Sequence, residues 1–175
     1  MALLIPSLGS CTFDSGGERR LAERLIEKLE DDYLCWYNVP LGAAVRHPDF
    51  IVFHPRRGLL ILEVKDWKKG TIRAADRQSF TLATARGEVA VENPLEQARQ
   101  YAQAAVRLLQ RDPQLVFSSG REAGKLRFPW SYGVVFPNLT RRQFEEGGLG
   151  EVIPEARVIC QDEMLENVEP EAFQQ

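Results

Sequence analysis

Glu63 and Lys65 close an otherwise wholly apolar run, LLILEVK at 59–65. In a β-strand successive side chains point to opposite sides, so these two share one face. Asp49 opens the preceding apolar run, DFIVFH at 49–54, and only four residues, PRRG, separate the two runs. So short a link predicts an antiparallel hairpin, with the Asp49 carboxylate beside the end where Glu63 and Lys65 emerge. Two carboxylates placed like this are natural oxygen ligands for Mg2+ or Mn2+. A neighbouring lysine can orient or deprotonate a water, or neutralise charge building on phosphorus. Glu63 and Lys65 also fit a plainer reading, a surface ion pair at a strand end, of a kind worth little on its own.

Strands apolar on both faces belong at the centre of a sheet covered above and below. The chain supplies two helices for that purpose. Residues 15–31 carry Leu21, Leu25 and Leu29 at four-residue intervals beside Ala22 and Ile26, a helical period. Glu18, one turn before Ala22, lies near that apolar face. A second helix starts at Asn93, which can cap it, with Pro94 at the first position and Glu96 completing a capping-box-like pattern. Leu95, Ala98, Ala102, Ala105 and Leu109 form its stripe. Residues 33–39 and 131–136 read as further strands, ended near Pro40 and Pro137. Residues 71–91 read as two or three short inserted strands and 111–128 as loop. Past 145 the pattern weakens, with a candidate strand at 157–160.

At 175 residues, 44% hydrophobic and 27% charged, the chain suits one soluble domain that needs no disulfide staples. Cys11, Cys35 and Cys160 are odd in number and form no C-x-x-C pair, which suits thiols in a reducing cytoplasm better than a disulfide framework or structural zinc. No run approaches membrane-span length and the apolar start lacks signal-peptide flanks, so a cytoplasmic protein off the membrane is expected. The net charge of −3 is uneven: beyond residue 144 one arginine faces nine acidic residues, leaving the rest basic. That balance permits an anionic ligand. It also suggests a domain at 1–144 followed by an acidic extension, 145–175, serving as a linker. Trp67, Lys68 and Lys69 directly follow Lys65 and suit a DNA-contacting patch, with lysines on phosphates and the indole on a base, or a solvated turn. Arg141 and Arg142 carry the same two readings. His47 and His54 share no zinc spacing. The GREAGK stretch at 120–125 has three residues between its glycines and Leu126 where a P-loop needs Ser or Thr, which removes an ATP site.

His47-Pro48-Asp49 followed by Glu63-Val64-Lys65 resembles the PD-(D/E)xK nuclease signature. The details are closer to the nuclease-related domain, NERD: Gly17-Glu18 opening the first helix, the Asp49 hairpin, Glu63-Val64-Lys65, and Asn93-Pro94 leading to Gln97. Gln97 and Tyr101 also form a Q-x-x-x-Y pair similar to that of RecB-type nucleases. The resemblance covers about residues 15–136. It implies an α/β, restriction-endonuclease-like core, a central mixed sheet of about four strands flanked by helices, with an inserted β-hairpin at 71–91.

The resemblance further implies that Asp49 and Glu63, with the Val64 carbonyl, hold Mg2+ or Mn2+, and that Lys65 serves the attacking water. Glu18 would support a metal ligand or bound water, and Gln97 and Tyr101 would brace the site or touch a phosphate. The implied reaction is phosphodiester hydrolysis of DNA in processing or repair, with a helicase domain of the UvrD class in the same or another chain. A catalytically silent module that binds DNA or a partner protein is the alternative. Glu18 also fits simple helix-dipole stabilisation, and Gln97 with Tyr101 a structural hydrogen bond.

Overall fold

The computed structural model describes residues 1–42 and 47–174. In chain order its main elements are β1 (Leu3–Ile5), α1 (Gly16–Lys28), β2 (Leu34–Tyr37), β3 (Phe50–His54), β4 (Gly58–Val64), β5 (Ile72–Ala75), β6 (Ser79–Thr84), β7 (Gly87–Glu92), α2 (Pro94–Leu109), β8 (Trp130–Phe136), α3 (Arg141–Glu146), β9 (Val158–Cys160) and α4 (Pro170–Phe173). Six of the strands form a mixed sheet in the order β1-β2-β3-β4-β8-β9. β2, β3 and β4 run antiparallel, whereas β1 lies parallel to β2 and β4, β8 and β9 are mutually parallel.

The central hairpin is in the register its apolar pattern requires. Phe50 pairs with Leu62 and His54 with Gly58, so one further step brings Asp49 level with Glu63. Gly58 turns with φ +86°, and a Cβ there would lie 1.9 Å from the Pro129 carbonyl oxygen. Only glycine fits a backbone approach so close.

Helices cover the two faces of β4, which is why its apolar run is continuous. On one face Leu21, Ala22 and Leu25 of α1 share a core with Tyr37, Phe50, Val52, Leu62 and Val64. On the other, Ala102 and Ala105 of α2 pack with Ile51, Leu59 and Ile61. Alanines at the contact let helix and sheet come close. A third cluster joins Phe80 and Leu82 of β6 to Val134, Phe136, Phe144, Ile153 and Val158.

The sheet thus has six strands where about four were expected. The additions, β1 and β9, are three-residue edge strands. β9 falls within the candidate strand at 157–160, whereas β1 is too short to carry a readable period; both are held to β2 and β8 by residues distant in sequence. The two or three inserted strands expected at 71–91 form a three-stranded antiparallel sheet, β5-β6-β7, one strand more than a simple hairpin. Its first strand is irregular, with a register shift between Ile72 and Ala74 that blurs the alternation. The segment expected as an acidic extension contributes Leu149, Ile153, Val158, Cys160 and Met164 to the buried interior. Glu151, Glu155 and Glu166 of the same segment face solvent. Among the described residues no helix is long and apolar enough to cross a membrane.

Candidate active site

The carboxyl-terminal end of β4 and the start of β3 meet at one edge of the covered sheet. By strand parity Asp49, Glu63 and Lys65 share the side of β3 and β4 on which Ile51, Leu59 and Ile61 meet α2. The Val64 N–H donates to Asp49 Oδ2 at 2.6 Å. Lys65 Nζ donates to Glu63 Oε1 at 2.6 Å. Glu63 is only 3% exposed, and its second oxygen, Oε2, is buried without a hydrogen-bond partner. An acceptor of this kind is costly to leave bare and is ready for a cation.

Glu18 completes the group from α1. Ser15 caps that helix through the Glu18 N–H and donates from its hydroxyl to Glu18 Oε1 at 3.0 Å. Glu18 Oε2 accepts from the Tyr37 hydroxyl at 2.6 Å and from the Asp14 N–H at 3.2 Å. Gly17 makes the approach possible, because a Cβ there would lie 2.5 Å from Asp66 Oδ1 and 2.6 Å from Pro137 Cγ. The helix start is thereby seated directly on the ends of β4 and β8.

Burial, and next the charge of Glu63, push Asp49 up to about 7, against the pull of the Val64 N–H. Glu63 is also raised, by burial first, with Lys65 acting in the opposite sense. Glu18 adds to the rise of both. Carboxylates gathered away from water resist carrying a full set of charges. A divalent cation removes that repulsion. The donor set is all oxygen, which suits Mg2+ or Mn2+ rather than a thiolate-seeking metal.

Gln97 and Tyr101 stand one turn apart on α2, joined by a 3.0 Å bond from Gln97 Nε2 to Tyr101 Oη. Tyr101 packs beside the cluster that lies under Glu63 on this face. Trp67 is partly buried, its ring centroid 5.5 Å from Phe80 and 6.1 Å from Phe136, so it serves as a lid on the third cluster. Lys69 pairs with Glu146 at 3.2 Å, and Lys68 is exposed. The sequence pattern did not single out Tyr37 or Asn38. Tyr37 ends β2 and Asn38 follows it, and nothing in their local spacing announces a partner on another element.

A second group lies at the opposite end of the hairpin, where Glu30, Asp32 and His54 bring ligand atoms within 4.8 Å of one another. His54 Nδ1 accepts the backbone N–H groups of both Arg56 and Arg57 at 3.0 Å, and Nε2 sits 2.9 Å from Asp32. A metal-bound imidazole normally donates through its other nitrogen. Here that nitrogen is an acceptor twice over, so Nε2 carries the proton and donates to Asp32. The arrangement fits a brace for the β3–β4 turn better than a metal centre.

Residues 14–137 match the family model described as nuclease-related domain. No curated protein and no solved structure shows a significant match.

Proposed function

The chain belongs to the nuclease-related domain family, and from that premise we propose that it is a metal-dependent hydrolase of DNA phosphodiester bonds. The observation that carries the reading is the buried, unpartnered Glu63 Oε2 set among Asp49, Glu18 and Lys65. Asp49 and Glu63 would hold Mg2+ or Mn2+ with the Val64 carbonyl, and the ion would supply Lewis acidity and a water of lowered pKa. Asp49 presents Oδ1, since Oδ2 is taken by the Val64 N–H. Lys65, tethered to Glu63, would orient the attacking water or offset charge on the phosphate. Gln97 and Tyr101 would brace this face or meet a phosphate, and Lys68 and Lys69 would meet the backbone beyond it. A role in DNA processing or repair beside a UvrD-type helicase domain rests on the family resemblance.

The test is cleavage of labelled single- and double-stranded DNA with Mg2+ or Mn2+. Wild type is compared with Asp49→Ala, Glu63→Ala and Lys65→Ala. Metal-dependent cutting lost in all three supports the reading; cutting that survives them refutes it. The Lys65–Glu63 bond favours one rival, a catalytically silent DNA-binding module, since the ammonium offsets the Glu63 charge without any ion. Salt-sensitive DNA binding without cutting by any variant would select that rival.

A further inference from the structure

Tyr37, the last residue of β2, and Asn38, just beyond it, each grip a different carboxylate-bearing residue. Tyr37 closes the strand, paired in register with Phe50 and therefore adjacent to Asp49. Its ring is buried, 4.6 Å from Phe13 and 5.2 Å from Phe50 between centroids. Its hydroxyl reaches Glu18 Oε2 at 2.6 Å and the Thr12 carbonyl at 3.1 Å. A phenol has one proton, and the shorter contact to a carboxylate takes it. Asn38, the next residue, has φ +52°, a left-handed turn that asparagine tolerates. That turn aims its N–H at the Asp49 carbonyl at 3.0 Å.

We propose that Tyr37 and Asn38 form a two-residue clip that sets the distance between Glu18 and Asp49, and that Tyr37 is a positioning residue for the divalent ion. The inference rests on the metal-dependent reading above. Helix α1 does not need the phenol: Ser15 already caps it, and the Glu18 carboxylate already accepts from Ser15 and Asp14. What the Tyr37 hydroxyl adds is a direct tie from the end of β2 to a carboxylate on the helix. Through it, Glu18 is referenced to the same strand end as Asp49. The cation such a pair would receive is a hard divalent ion with oxygen preference.

The deciding measurement is Mn2+ affinity, read from the electron paramagnetic resonance of the free ion, for wild type, Asp49→Asn, Glu18→Gln, Tyr37→Phe and the double variant Tyr37→Phe/Glu18→Gln. Phenylalanine keeps the ring packing, so melting temperatures are recorded to show that the fold is retained. Tyr37→Phe is expected to weaken Mn2+ about tenfold, as loss of a partner that orients a ligand does. Glu18→Gln should do the same, and the double variant should be no weaker than Glu18→Gln, because both changes break one link. Wild-type affinity in Tyr37→Phe, or losses that multiply in the double variant, would overturn the clip while a weakened Asp49→Asn left the metal reading standing. Equal, negligible binding by wild type and Asp49→Asn would overturn both.

Discussion

The backbone N–H of Val64 holds Asp49 Oδ2 at 2.6 Å, so the strand that carries Glu63 and Lys65 also fixes the carboxylate across the hairpin. One oxygen of each acidic side chain is thereby committed to the protein, Asp49 to a peptide and Glu63 to Lys65. The other oxygens remain for chemistry. This division makes the site rigid before any ligand arrives, which is what precise positioning of a reacting group requires.

That crowding has a cost that depends on pH. Asp49 is pushed up to about 7 and Glu63 is raised with it. A folded-state value above the unfolded one means that the native protein holds protons the unfolded chain releases near pH 4. The stabilisation is complete below about pH 4 and is lost as pH climbs through the folded value. Without metal, Asp49→Asn and Glu63→Gln should therefore melt higher than wild type at pH 8, by about 2–4 °C per kcal/mol of repulsion removed, and no higher at pH 4. Melting curves in a chelator across that range decide it; variants that melt lower at pH 8 would contradict the account.

Gly17 and Gly16 are neighbours with opposite expectations. A methyl group at Gly17 would collide with Asp66 and Pro137, whereas one at Gly16 meets nothing within 4 Å. Gly17→Ala should cost about 1–3 kcal/mol and lift Glu18 away from its partners. Gly16→Ala should be neutral or slightly stabilising, since alanine favours the helix. Equal melting of the two variants would remove the seating of α1 from the explanation.

At the far end of the hairpin, His54→Ala should leave the Arg56 and Arg57 N–H groups without their acceptor and lower stability by about 1–3 kcal/mol. Because its imidazole braces a turn, the variant should bind as many Mn2+ ions as wild type. Loss of one ion per chain would return that group to the list of metal centres.

Trp67 and Lys68 should separate packing from DNA contact. Trp67→Ala removes a ring that touches Phe80 and Phe136, so its first effect should be a lower melting temperature. Lys68→Ala should leave melting unchanged while reducing the salt dependence of DNA binding by about one counterion. An unchanged salt slope would take Lys68 off the DNA path.

Much of this was legible in the chain because β4 combines two signals, an apolar run on both faces and a charged end. The first dictates a covered central strand, and the second points to a candidate site at its tip. The α2 start was equally plain from Asn93, whose side chain accepts from the Leu95 N–H. What local pattern does not encode is partnership at a distance. Tyr37 reads as one more aromatic strand residue until the register places it beside Phe50 and under Glu18. Trp67 reads as a base-stacking candidate because lysines flank it in sequence, while the aromatic rings it rests on lie 13 and 69 positions further along the chain. The edge strand β1 was hidden for the same reason: three residues hold no period, and their partner lies far away.

The β5–β7 sheet leaves the body directly after the Lys65 strand and returns at Glu92, whose charge acts on Glu63, and at Asn93, which hands the chain to α2. Departure and re-entry thus occur beside the same carboxylates, while the turn between Thr84 and Gly87 points away into water. A chain excursion anchored in this way can grow or shrink at its tip at little entropic cost, without moving the carboxylates at its base. It gives the fold a place to alter what the chain touches while leaving the Asp49 and Glu63 carboxylates where they are.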